Sequence, residues 1–200
     1  MRRHKVISII ILALILTSCD TSKRKSSHQQ DYITDSTYQY VDTSSKLKYK
    51  SEQVIRAEIR QQVLEKNFVD SLFVFGKWTE DGETETRLKY LGEITTTDGR
   101  IFKIMNSIWF WGLSHRATCR LLIFDDHNQY LGNYRFGGPY ELPDKLENGC
   151  LIFKNFDNVH CDKKIITKVD FTLGLPKEIF IKCKGKYGDI FKFDPEEYSD

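Results

Sequence analysis

The sequence predicts a mainly β domain: an antiparallel meander of about eight strands, barrel- or sandwich-like, with one N-terminal amphipathic helix. Three observations carry this prediction. Asp-Gly pairs at 81–82 and 98–99 sit between strand-like runs, and both residue types tolerate the positive φ of tight hairpin turns. Residues 165–173 alternate, with Ile165, Thr167, Val169, Phe171 and Leu173 on one side and Ile166, Lys168, Asp170 and Thr172 on the other, the period of a strand. Connections between apolar runs are short, so neighbours in sequence should be neighbours in the sheet.

Residues 51–66, SEQVIRAEIRQQVLEK, read as the helix. Ser51 is an N-cap type. Ile55, Ile59 and Val63 recur four residues apart and form one apolar stripe. Glu52 precedes Arg56 in the favourable order for an ion pair one turn away, and Asn67 suits the helix end. A single stripe requires one apolar surface, which the following sheet would supply.

The strand-like segments are 84–97, 100–111, 119–124, 130–136, 150–156, 165–173, 177–183 and 189–193. A two-residue turn at Asp98-Gly99 opposes Thr97 to Arg100. That register places Leu88, Tyr90 and Ile94 on one face with Ile101, Met105 and Trp109, and Phe102, Ile104, Ile108 and Phe110 on the other. Both faces of 100–111 are then apolar, so both need cover: the helix on one side, and a second sheet or a sheet closed on itself on the other. A bulge at Gly92 would shift the pairing beyond it.

The length of 200 residues fits one domain with a segment to spare. That segment is at the N-terminus. Arg2, Arg3, His4 and Lys5 precede the uncharged run VISIIILALIL, Val6 to Leu16. As a helix this run covers about 16 Å, half of the roughly 30 Å bilayer core, and so suits a signal peptide rather than a membrane span. The residues Leu16-Thr17-Ser18-Cys19 that follow resemble the lipobox of bacterial lipoproteins, in which leucine stands three before an obligatory cysteine and small residues lie between. The resemblance covers residues 1–19. It implies cleavage before Cys19, a thioether-linked diacylglyceryl group on its sulfur and an acyl chain (a palmitate, for example) on its nitrogen. Two or more chains hold a protein firmly to a membrane where one does not. The implied location is the bacterial cell envelope, facing the periplasm or the cell surface. Asp20 is of the type that retains some Gram-negative lipoproteins at the inner membrane.

The organisation expected is therefore 1–18 signal peptide, 19–50 lipidated cysteine and polar tether, and 51–200 one β-rich domain. The tether reaches about 100 Å fully extended and about 30 Å as a coil. Tyr32, Tyr38, Tyr40 and Tyr49 offer a segment that docks on the domain, but a solvated tether is the preferred reading. This architecture is similar to that of small β-rich envelope lipoproteins. Without Arg2, Arg3 and Lys5, 27 basic residues face 28 acidic ones, a balance that argues against nucleic acid as a partner.

Of the five cysteines, Cys119, Cys150, Cys161 and Cys183 remain after Cys19, and an exported chain meets an oxidising compartment. If 119–124, 130–136 and 150–156 are consecutive neighbours, Cys119 and Cys150 lie two strand spacings apart, about 9.6 Å, beyond the roughly 7 Å limit for a disulfide. Cys161 and Cys183 flank one end of the hairpin turning at Gly174-Leu175-Pro176 and are the candidate pair; the alternative is four buried free thiols. No cysteine and histidine spacing suggests zinc, so neither a metal nor another cofactor is expected.

His115 and Cys119 are the candidate base and nucleophile, with Asp125 or Asp126 to orient the base; the plainer reading is a loop histidine and a strand cysteine. His160 and Cys161 are adjacent, and on a strand would face opposite ways. FDDHNQ, 124–129, is oxygen-rich but lacks the glycine bend and distal glutamate of a calcium loop, so it reads as a polar hairpin loop. The terminal DPEEYSD reads as a solvated acidic tail. In FGGPYELP, 136–143, two glycines and a proline bracket Tyr140 in a loop, where function concentrates. The segment SIWFWGLSHRATC, 107–119, adds Trp109 and Trp111, and the three rings would make a ligand platform if they converge. The expected function is a membrane-anchored envelope lipoprotein whose β domain binds a protein or glycan partner without catalysis. The alternatives are an exported enzyme using His115 and Cys119, and a structural subunit docking through an exposed strand edge.

Overall fold

A computed structural model of the chain describes residues 38–41, 52–156 and 161–195, all within the unit Tyr32–Asp200. The signal-peptide segment, Cys19, Ser51, His160 and the tail beyond Pro195 lie outside the described residues. In chain order the elements are β1 (Tyr38–Val41), α1 (Glu52–Lys66), β2 (Leu72–Gly76), β3 (Glu85–Thr95), β4 (Ile101–Trp111), β5 (Arg116–Phe124), β6 (Tyr130–Phe136), β7 (Lys145–Glu147), β8 (Cys150–Lys154), β9 (Ile166–Asp170), β10 (Glu178–Lys184) and β11 (Tyr187–Asp194). A single turn of 3₁₀ helix, Pro139–Glu141, lies between β6 and β7.

The domain is mainly β and predominantly antiparallel. The large sheet runs β1-β2-β3-β4-β5-β6-β11-β10, and a small one runs β7-β8-β9. The large sheet ends in two edges, β1 and β10, so it does not close, and the barrel alternative falls. From β2 to β6 the chain is a meander. It then leaves for the small sheet and returns as the β10–β11 hairpin, where among the described residues the backbone pairs of β11 with β6 are Phe193↔Tyr134 and Asp194↔Asn133. Local connection length does not encode that return.

Both faces of the large sheet are covered. On one, Ile59, Val63 and Leu64 of α1 pack against Phe73, Leu88, Tyr90, Met105 and Leu122. On the other, Ile104, Leu121, Ile123, Tyr134 and Phe136 meet Leu151 and Phe153 of the small sheet together with Phe171 and Ile179. Glu52 and Arg56 of α1 form the ion pair expected from their spacing. Asn67 ends the helix at φ +52, its N–H donating to the Val63 carbonyl at 3.2 Å, a left-handed cap that asparagine tolerates.

The β3–β4 turn departs from the expected register. Thr96 N–H donates to the Arg100 carbonyl (2.8 Å) and Gly99 N–H to the Thr96 carbonyl (2.9 Å), so the loop is Thr97-Asp98-Gly99, three residues rather than two. Asp98 favours it by accepting from the Thr96 hydroxyl and from Arg100 Nε at 2.8 Å. Ile94 therefore pairs with Phe102 and sits on the small-sheet face, not with Met105. A bulge between Tyr90 and Gly92 shifts the register by one more residue, with Gly92 at φ +120. This second shift returns Tyr90 and Leu88 to the Met105 and Trp109 face. The Asp81-Gly82 pair does not form a tight hairpin either; β2 and β3 are joined through residues 77–84.

Two further expectations change. Tyr38–Val41, inside the segment read as tether, pairs in parallel with Leu72–Phe75; Tyr-Gln-Tyr-Val suits a strand, and it covers the edge that β2 would otherwise present. The alternation at 165–173 stops early. The Asp170 carboxylate accepts from the Thr172 N–H at 2.7 Å and from its hydroxyl, which turns the chain. Phe171 is fully buried while Leu173 is 79% exposed.

Candidate functional site

The odd positions of β4 point at α1. Trp109 and Trp111 stack there with ring centroids 5.5 Å apart. The Arg56 guanidinium lies 3.7 Å from the Trp109 ring centre, Arg116 lies 5.4 Å from that of Trp111, and Trp111 Nε1 donates to the Thr118 hydroxyl at 3.0 Å. Each of the two neighbouring rings is thus met by its own guanidinium, an arrangement stabilised by the ring quadrupole.

His115 occupies the β4–β5 turn at φ +51. Its ring is held between Trp78 (centroids 4.1 Å) and Phe110 (4.7 Å), and Trp78 Nε1 donates to the Gly112 carbonyl at 2.9 Å. Trp78 escaped the sequence reading because it is one aromatic residue in a polar loop with no periodicity around it. Cys119 lies farther along β5, 0% exposed within the small-sheet core. Burial foremost, then the charge of Glu141, pushes its thiol up to about 12. A nucleophilic cysteine needs the opposite shift and an open approach. Asp125 is committed to its own loop, accepting from His127 N–H (2.9 Å) and Gln129 N–H (2.7 Å). His115, Cys119 and the acidic loop are therefore not assembled into a catalytic group.

Nor do the three aromatics converge. Trp109 and Trp111 lie on the α1 face, whereas Tyr140 packs against Phe156 with tilted rings and centroids 5.5 Å apart, beside Phe153 and Phe191 of the opposite core. The large sheet itself separates them.

Tyr140 instead lines a cleft of about 460 Å³ formed by the 3₁₀ turn, the end of β8 and the β10–β11 hairpin. The FGGPYELP sequence shapes the first wall. Gly137 N–H donates to Glu141 Oε2 at 2.6 Å, which tightens the turn. A Cβ on Gly138 would lie 2.8 Å from the Tyr140 ring, so glycine lets that ring fold back over the chain. The opposite wall is fixed by a Cys161–Cys183 disulfide, with Cα atoms 4.5 Å apart. Asn155 spans between the walls, its Nδ2 donating to the carbonyls of Lys182 (2.9 Å) and Cys183 (3.1 Å). Cys119 and Cys150 are free thiols, on separate sheets.

The lining is mixed. Tyr140, Phe156, Tyr187 and Phe191 offer ring faces, while Lys154, Lys184, Glu141 and Asp189 supply both charges. Such a surface can stack a sugar ring or an apolar side chain and hydrogen-bond its periphery. Asn155, Phe156 and the hairpin were missed because a cleft built from segments far apart in sequence leaves no local pattern.

In FDDHNQ, Lys103 Nζ donates to Asn128 Oδ1 (2.6 Å) and to the Asp126 carbonyl (3.1 Å), so the loop's oxygens are used in closing a hairpin. Among the described residues no group of three or more His, Cys, Asp or Glu is placed to hold a metal ion. No protein-family model, no curated protein and no solved structure matches this chain.

Proposed function

We propose that the chain is a lipid-anchored protein of the bacterial cell envelope whose β domain is a binding module for a glycan, without a covalent step. The observation that carries the binding reading is the Tyr140–Phe156 ring pair that lines the cleft. Tyr140 is 44% exposed and already packed against Phe156, with a disulfide holding the opposite wall, so its ring has less freedom to lose on binding. Sugar rings present apolar C–H faces to such platforms, and the Lys and acidic side chains around it suit their hydroxyls. The anchor reading rests on the lipobox-like residues 16–19. Glycan-array binding by the soluble domain tests the first part: Tyr140→Ala should reduce binding at least tenfold, and equal binding by the variant would remove its basis. Fatty-acid labelling tests the second, since Cys19→Ala should abolish it.

A second reading, docking into an envelope assembly, is favoured by the outer face of the β10–β11 hairpin. Phe180 of β10, the edge strand of the large sheet, and Ile190 of the neighbouring β11 face each other across the strands, 46% and 56% exposed. Protein capture that depends on Phe180 but not on Tyr140 would support it.

A further inference from the structure

The β10–β11 hairpin turns through Gly185 and Lys186 alone, with Lys184 opposite Tyr187, so it ends in a narrow tip. Ile179 and Ile181 turn inward to the small-sheet core. The alternate side chains, Phe180 and Lys182, point the other way and share the outer face with Ile190. The apolar residues of α1 pack on β2 to β5, so the helix does not cover this face. Tyr187, at the tip, is 70% exposed, more than either Phe180 or Ile190, and its ring is not spent on a core.

The same tip is basic. From Ile179 to Gly188 the chain carries Lys182, Lys184 and Lys186 and no acidic residue. All three lysines are exposed, and none forms an ion pair among the described residues. Lys186 Nζ lies 5.9 Å from the Tyr187 ring centre. The Cys161–Cys183 disulfide brings Asp162, Lys163 and Lys164 alongside, with Asp162 N–H donating to the Cys183 carbonyl at 3.1 Å, and these add two cations and one anion. Asp189, the next carboxylate along β11, is on the Ile181 side of the hairpin and lines the cleft. Glu178 stands opposite Lys192 at the other end of the strands.

We infer that this tip is a docking surface for an anionic lipid bilayer. The lysine ammonium groups meet headgroup phosphates, and Tyr187, Phe180 and Ile190 enter the boundary between headgroups and acyl chains. Tyrosine suits that boundary because its ring is apolar and its hydroxyl polar. Lysine stems lie along apolar surface while their charges stay in the wet headgroup layer, and each lysine near an anionic surface adds its own attraction. A protein partner fits this surface less well, because lysine is depleted in protein interfaces. The outer edge of β10 is also taken where a partner strand would add: Lys182 N–H donates to the Thr167 hydroxyl, and the Lys182 and Cys183 carbonyls accept from Asn155. The contact is separate from an anchor at Cys19 and does not depend on it. It holds the domain itself, rather than a tether, against the lipid.

The experiment uses residues 20–200, which omit Cys19 and contain every described element and both cores. Co-sedimentation compares vesicles of phosphatidylcholine with vesicles of equal parts phosphatidylcholine and phosphatidylglycerol. The expected result is binding to the mixed vesicles, little to the neutral ones, and release at high salt. Lys186→Gln should weaken partitioning by about 5-fold, and the triple replacement of Lys182, Lys184 and Lys186 by glutamine by about 10-fold or more. Phe180→Ala should weaken it by about 3- to 10-fold; Lys186→Gln, in an open turn, keeps the test decisive if the Phe180 variant does not fold. Lys77→Gln, in the β2–β3 connection, removes the same charge elsewhere and should leave binding unaltered. Equal binding to the two kinds of vesicle would overturn the site, as would lysine variants that bind like the parent. Competition by soluble polyglutamate that is indifferent to Phe180→Ala would assign the tip to an acidic protein instead. Loss of vesicle binding in Tyr140→Ala would place the headgroup in the cleft and likewise overturn the inference.

Discussion

Asn155 and Lys182, far apart in the chain, are joined by a 2.9 Å hydrogen bond from side-chain amide to main-chain carbonyl. The same amide reaches Cys183, whose sulfur is bonded to Cys161 across a sequence separation of 22. The loop so closed corresponds to about 3 kcal/mol of stabilisation. Replacing both cysteines by serine should lower stability by that order, and the cleft ligand should bind more weakly because its wall is released. Denaturation with and without reductant measures the first effect. An unchanged midpoint on reduction would mean that the bridge does not form in solution. Asn155→Ala should cost a smaller amount, about 1 kcal/mol.

Cys119 predicts an alkaline limb. Its ordinary value is 9.0 and the folded value is about 12, so the folded state holds the proton more tightly than the unfolded chain. Stability is then full below pH 9 and falls as pH rises from there towards 12, by about 1 kcal/mol at one unit above the unfolded value. Cys119→Ala should be destabilised at neutral pH by its small cavity, yet lose less stability between pH 9 and 11 than the parent. Parallel curves for the two proteins would contradict the burial of this thiol. Tyr90, pushed up to about 12 chiefly by burial, would leave a residual decline in the variant.

The location of β3 to β6 and of β8 to β11 was legible from their residues, but that of β1, β2 and β7 was not, and neither was which side chain faced which neighbour. The three-residue turn and the bulge at Gly92 are each a one-residue displacement, and each reverses every face beyond it. At Tyr90 the two cancel; at Ile94 only the first has acted, so only Ile94 changed sides. Arg120 shows the same limit. In CRLLIF it alternates with Cys119 and Leu121, a pattern that does not carry the α1 helix covering that face and burying it to 8% exposed. Tyr140 was legible as a loop residue of interest because Gly and Pro surround it. Its partner Phe156 was not, since the stack arises from two chain segments that meet only in the folded sheet.

Tyr134 joins the two layers. Fully buried, it donates its hydroxyl to the Pro176 carbonyl at 2.5 Å and packs against Phe171 and Phe193. Burial raises its phenol well above the ordinary range. Tyr134→Phe keeps the ring contacts and removes one donor, so it should cost about 1 kcal/mol, whereas Tyr134→Ala should cost about 3–5 kcal/mol. Urea midpoints of the two variants separate hydrogen bond from packing; equal losses would place the whole effect in the hydroxyl.

Gly132 decides whether the β10–β11 hairpin stays attached. It takes φ +152, next to a register shift between β5 and β6, and the Phe193 ring is packed close against it. An added Cβ would sit 2.4 Å from Phe193 Cζ and 2.6 Å from the Asp194 carbonyl oxygen, both on β11. The ring can swing aside only by giving up its contact with Tyr134, and the carbonyl is main chain. Since β11 holds β6 through just two pairs, Phe193↔Tyr134 and Asp194↔Asn133, there is little other pairing to absorb the displacement. Gly132→Ala should therefore lose about 3 kcal/mol or more. Amide exchange should show β10 and β11 opening before β3, β4 and β5. Because Tyr187 and Phe191 of that hairpin line the Tyr140 cleft, ligand binding there should fall with it. An alanine variant as stable as the parent would show that Phe193 is not seated on Gly132 in solution, and that the hairpin is held by other contacts.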